Sequence, residues 1–176
     1  VPKISNMPEF TVRSIAPVQD NFSCLTGIER RVIRGDSLSG IINSGEEVKI
    51  FKGYYTCNEP EREEIIAFSY GGYPDPSIKI IKGIGGDTLE LQENNNGDWH
   101  IKVNGNMLKT SRGIPYNIEE TAYKLLSLYI KDYKGVIPEN SYLVLGNIAE
   151  GTVSDSTRLG LISKSDFIGK VLLWKQ

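Results

Sequence analysis

The chain is 176 residues long and carries 20 Lys and Arg against 22 Asp and Glu, a formal net charge of −2. No long run of one sign breaks that balance, which excludes the basic footprint of a dedicated nucleic-acid binder. Two cysteines, Cys24 and Cys57, and one histidine, His100, exclude a zinc cage and leave a Ser-His-Asp triad almost nothing to draw on.

The length fits one medium domain, or a domain with a small insert, and suffices to bury a core without disulfides. Cys24 and Cys57 either bridge in an oxidising compartment or remain buried thiols. The second reading is favoured, because small apolar-behaving thiols are common. No stretch approaches the roughly 18 apolar residues of a membrane span, and the N-terminus lacks a secretory-signal pattern. As it stands the chain reads as soluble. It opens Val1-Pro2-Lys3 rather than with Met, so Val1–Phe10 is expected to be an edge with sequence missing before it.

Short alternating or β-branched runs separated by Gly, Asn, Asp and Pro dominate, which predicts a mainly antiparallel β fold. In chain order the predicted strands are Arg31–Ile33, Glu47–Phe51, Ile65–Ser69, Ile78–Ile81, Thr88–Leu91, His100–Val103, Ser141–Leu145 and Val171–Trp174. Asn94-Asn95-Asn96-Gly97-Asp98 has Asn-Gly turn chemistry and predicts a hairpin between the fifth and sixth. One segment follows a different period. Ile118, Ala122, Leu125, Leu126, Tyr129 and Tyr133 recur every three or four residues, predicting a helix over Ile118–Lys134 with Asn117 as its cap and Gly135 just past its end.

The chemistry centres on Ser37 and Lys79. A serine hydroxyl is a weak nucleophile until a base within hydrogen-bond reach takes its proton, and without histidines to spare the alternative base is a lysine kept neutral by burial. Gly35-Asp36-Ser37 taken alone is ordinary turn composition. Lys79 stands in Ser77-Ile78-Lys79-Ile80-Ile81-Lys82, and strand alternation puts it on one face with Ile81 while Ile78, Ile80 and Lys82 take the other. On strand pattern alone the expectation is a lysine snorkelling at a sheet edge, since buried lysine is rare.

Four stretches change that balance when read in order. The first is Gly35-Asp36-Ser37-Leu38-Ser39-Gly40-Ile41-Ile42 followed by Gly45-Glu46-Glu47-Val48. The second is Ile78-Lys79-Ile80-Ile81-Lys82-Gly83-Ile84-Gly85-Gly86-Asp87, and the third is Val103-Asn104-Gly105. The fourth is Val136-Ile137-Pro138-Glu139-Asn140-Ser141-Tyr142-Leu143-Val144-Leu145-Gly146-Asn147, continuing through Asp155-Ser156 and Gly160 to Ile168-Gly169-Lys170. Together these resemble type I signal peptidases, membrane-bound Ser-Lys proteases that remove secretory leader peptides. The family's boxes run Gly-x-Ser-Met-x-Pro-Thr-Leu, Ile-Lys-Arg-Val-Ile-Gly-x-Pro-Gly-Asp, Val-Asn-Gly and Val-Pro-x-x-x-Tyr-Phe-Val-x-Gly-Asp-Asn. The departures are Leu38 for Met, Gly40-Ile41 for Pro-Thr, Ile80 for Arg, Asn147 for the first Asp of Gly-Asp-Asn, and Asp155-Ser156-Thr157-Arg158 for Asp-Ser-Arg, with one residue inserted between Gly146 and Asp155.

The resemblance implies a mainly β fold, an antiparallel sheet or partly closed barrel of signal-peptidase type. Its expected organisation is an N-terminal flank over residues 1–30, a catalytic β core over 31–90 and 136–176, and an inserted hairpin and helix over 91–135. It further implies Ser37 as nucleophile, Lys79 as base, and the Ser37 backbone N–H in the oxyanion hole, with Gly35 standing where some members offer a hydroxyl. Val32, Ile33 and Arg34 would receive an extended leader peptide cut after small residues. Thr152 or Ser154, with Asp155 and Arg158, would support the lysine. Neither metal nor cofactor is implied, and nucleic acid is not an expected partner. The expected location is the outer face of the cytoplasmic membrane or the periplasm, through an anchor missing before Val1. A specialised pilus or conjugation-type substrate, a self-cleaving repressor-type protease and a catalytically silent peptide-binding module are the competing readings.

Overall fold

The computed structural model describes residues 19–174. The expected Val1–Phe10 edge and most of the expected flank, up to residue 18, lie outside the described residues, as do 175–176. The elements in chain order are β1 (Gly27–Val32), β2 (Glu47–Lys52), α1 (Tyr54–Cys57), β3 (Ile65–Phe68), β4 (Ser77–Gly83), β5 (Leu89–Glu93), β6 (Trp99–Val103), β7 (Asn106–Met107), β8 (Asn117–Ile118), α2 (Glu120–Asp132), β9 (Ser141–Leu145), α3 (Ser156–Leu159), β10 (Ile162–Ser163) and β11 (Phe167–Leu173).

Alternation builds the larger sheet. In β2, Val48 and Ile50 are fully buried while Glu47 and Lys49 turn the other way, as a strand with one face on a core must. Seven strands join in the order β1-β2-β11-β3-β4-β9-β10, every neighbouring pair antiparallel. A second sheet runs β5-β6-β7 with β8 also on β6, and Asn94–Asp98 is the predicted turn between β5 and β6. The mainly antiparallel expectation holds. Closure does not: β1 and β10 end the larger sheet as separate edges, so it remains open.

Apolar packing ties the lobes together. Leu89, Ile101, Val103, Tyr116 and Ile118 of the smaller sheet region bury against Ala122 and Leu126 of α2 and against Leu143 and Leu145 of β9. Burying Leu126 alone contributes on the order of 2 kcal/mol. In β4, Ile78 and Ile80 join one cluster and Ile81 another, so both faces of that strand are covered. Lying between β3 and β9, β4 has no edge at which Lys79 could snorkel; the lysine is 4% exposed.

Two further expectations are corrected. The helix is shorter than its periodicity suggests. It begins after Glu119, because Asn117 and Ile118 are drawn into β8 by pairing with β6, and Asn117 does not cap it. Lys134 and Gly135, both at positive φ, end the segment where glycine was expected. Cys24 and Cys57 are not free thiols but a disulfide, with Cα atoms 5.8 Å apart. The approach is set by the backbone: the Thr26 N–H bonds Lys52 O at 2.9 Å, which lays the segment before β1 along the entry to α1.

Candidate active site

Ser37 follows β1 on a turn that the core holds from below. The Ser39 N–H donates to Asp36 O at 2.9 Å, and the Ile41 and Ile42 N–H groups donate to Leu38 O at 3.0 and 2.9 Å. Leu38 and Ile42 are buried in the cluster under β1 and β2. Two apolar anchors one helical turn apart thus pin a segment whose serine stays only partly covered.

Lys79 reaches this turn from β4. Its Nζ donates to Ser37 Oγ at 3.1 Å and to Ile78 O at 3.1 Å. Burial pushes its pKa below the ordinary lysine value, and the Asp155 carboxylate opposes that shift. A neutral amine at hydrogen-bond distance from a hydroxyl is able to accept its proton.

Asp155 is completely engaged. Oδ1 accepts from the Thr157 N–H at 2.9 Å and Thr157 Oγ1 at 2.6 Å. Oδ2 accepts from the N–H groups of Thr152 at 2.8 Å and Gly146 at 3.2 Å, and from Thr152 Oγ1 at 3.0 Å. Bonded to Thr157 it caps α3, and through the rest it gathers the loop after β9. Its effect on Lys79 is through charge rather than contact. Gly146 is placed so tightly that a Cβ there would stand 2.7 Å from Ser37 O and 2.6 Å from Thr152 Cγ2.

The sequence-predicted residues separate on this geometry. Ser37 and Lys79 meet, and Thr152 meets Asp155. Among the described residues neither Thr152 nor Ser154 hydrogen-bonds the lysine. Arg158 is exposed on α3. Gly35 sits at φ 86 just before the turn that carries Ser37. Ile33 is buried in the core while Val32, 52% exposed, and Arg34 face outward. Among the described residues β1 pairs on one side only, and the Ile33 N–H is spent on Glu46 O at 2.9 Å. Antiparallel alternation therefore turns the N–H and C=O of Val32 to the open side.

Sequence reasoning gave no role to Asn147 or Arg112, which touch the turn after Ser37, or to Ser111, which bonds Asn147. Tyr116, fully buried, donates its hydroxyl to Gly146 O at 2.5 Å. The one signal was the replacement of an acid by Asn147; the partners come from 36 and 108 residues away, beyond any local pattern.

Comparison with known proteins adds the lineage. Residues 15–174 match the family model described as signal peptidase, peptidase S26. A curated protein of Bacillus subtilis subsp. natto, signal peptidase I P, is 25% identical over 142 residues, covering 80% of this chain and 73% of that one. A crystal structure of a signal peptidase I from Enterococcus faecalis V583 aligns with a TM-score of 0.44 at 22% identity, over 64% of this chain and 97% of the other.

Proposed function

We propose, because the chain belongs to the signal peptidase family, peptidase S26, that Ser37 and Lys79 are the nucleophile and general base of a serine endopeptidase. The observation that carries this is the 3.1 Å Nζ to Oγ hydrogen bond made by a lysine whose burial favours the neutral form. In the reaction Ser37 Oγ bonds to the scissile carbonyl carbon as its proton passes to Lys79 Nζ. Collapse of the tetrahedral adduct breaks the C–N bond, and Lys79 returns the proton to the leaving amine. Water then repeats the sequence on the acyl-enzyme and frees Ser37. The Ser37 N–H, beside Gly35, would receive the oxyanion.

The substrates we propose are leader peptides cut after small residues, added as a strand along the open edge at Val32, Ile33 and Arg34. Thr152 and Asp155 are read as the support of the loop facing Lys79. A narrow substrate range, of the pilus or conjugation kind, is supported by Gly40 and Asn147 standing where the family boxes have Pro and Asp. The location we propose is the outer face of the cytoplasmic membrane or the periplasm, for which the Cys24–Cys57 disulfide argues, since disulfides persist in oxidising compartments.

The test is cleavage of a leader-site peptide in detergent by the parent, Ser37→Ala and Lys79→Ala. Cleavage by the parent with a loss of at least about 10³-fold in both variants is expected for a pair acting as a unit. Equal rates in all three proteins would discard the reading. Binding without cleavage by the parent would leave a peptide-binding module.

A further inference from the structure

The turn between Lys109 and Pro115 belongs to the smaller-sheet region, yet its tip rests on the nucleophile turn. A Lys109–Pro115 bridge and the bonds Thr110 N–H to Ile114 O at 2.8 Å and Gly113 N–H to Thr110 O at 2.9 Å close it tightly, with Ser111 and Arg112 at the tip. Asn147, itself buried, clamps that tip in place. Its Oδ1 accepts from the Ser111 N–H at 2.8 Å, and its Nδ2 donates to Ser111 Oγ at 2.7 Å and to Ser39 O at 2.8 Å. Its own N–H donates to Ser37 O at 2.7 Å. One side chain and its backbone thereby fix Arg112 relative to the nucleophile.

The Arg112 guanidinium lies against the bare backbone of Gly40, with Nη2 3.3 Å from where a Cβ on Gly40 would stand. Gly40 has φ 92, open to glycine and closed to the proline of the family box. The replacement that removes the ring thus coincides with an arginine occupying its surroundings. Arg112 is exposed, and among the described residues it forms no ion pair, not even with Asp36 of the turn that carries Ser37. A guanidinium presents a planar fork that matches a carboxylate. Here it lies against Gly40, three residues along the chain from Ser37, with that fork unused.

We infer that Arg112 is a specificity residue that receives the carboxylate of an Asp or Glu in the first residues after the scissile bond. This rests on the peptidase reading; because Arg112 lies against Gly40, on the chain leaving Ser37, the acidic residue is placed after the cut rather than among the residues before it. Preferred substrates are then leader junctions whose mature end begins acidic.

The experiment pairs leader-site peptides that differ only by Asp or Asn, placed in turn at each of the first positions after the cut. kcat/KM is measured for the parent, Arg112→Gln and Arg112→Glu. At one position the parent should favour Asp by roughly fivefold, the size of a partly exposed ion pair. Arg112→Gln should bring the Asp-to-Asn ratio to about one, and Arg112→Glu should invert it. Peptide Kd values in a Ser37→Ala background, with and without Arg112→Gln, read the same preference without cleavage. Charge-dependent binding without cleavage by the parent would sink the peptidase reading alone. Cleavage or binding whose Asp-to-Asn ratio is unmoved by Arg112→Gln at every position would overturn the role of Arg112.

Discussion

Lys79 gives up hydration to lie beside Ser37, and the sign of that sacrifice is measurable. Its folded pKa lies below the ordinary 10.5 because burial penalises the ammonium, with Asp155 offsetting part of the effect. As pH falls from 10.5, the unfolded chain takes up the lysine proton first, so the folded state loses stability until Lys79 also protonates. Lys79→Met removes this dependence. Its stability relative to the parent should therefore grow as pH drops from about 10.5 to the lowered pKa and stay level below it, as urea midpoints across that range would show. The acid limb of kcat/KM should lie in the same window, since only the neutral amine can accept a proton. The meeting of these two residues was legible in the sequence through the ordered boxes around them, whereas strand pattern by itself pointed to a snorkelling lysine. Asn147 was visible only as a departure. Its bonds to Ser39 and Ser111 need an amide that donates and accepts at once, and a carboxylate would lack the donors.

Strands were legible wherever apolar residues alternate, as in β2, because one buried face imposes a period of two. What alternation could not reveal is which strands have neighbours on both sides. β4 is covered on both faces and lies inside the sheet, while β1 keeps a free edge among the described residues. The helix α2 was legible in type but not at its start, because β6 captures Asn117 and Ile118, a non-local pairing that no window of sequence contains. The free edge of β1 carries its own prediction. Val32→Pro removes an N–H that β2 does not use, and proline is tolerated on the open side of an edge strand. Thermal stability should change little, while KM for a leader-site peptide rises about threefold to tenfold, the worth of one lost hydrogen bond. An unchanged KM would show that the peptide does not add to this strand.

At the scale of the molecule, the disulfide closes a separation of 33 residues between the approach to β1 and the end of α1. Sequence alone left that pairing open because two cysteines so far apart meet only through the β1–β2 register. Replacing both, Cys24→Ser with Cys57→Ser, should cost about 3 kcal/mol of unfolding free energy. Activity at low temperature should survive, because Cys24 precedes β1 and Ser37 follows it. A denaturant midpoint equal to the parent's would refute the estimate. The larger sheet has one more property of consequence. β11 comes after all its other strands in the chain but pairs between β2 and β3, so Ser37, after β1, and Lys79, on β4, belong to halves that it joins. During translation those halves wait with open seams until the last strand leaves the ribosome. Nascent chains stalled before Phe167 should therefore leave a leader peptide uncut, whereas chains in which β11 has emerged should cut it.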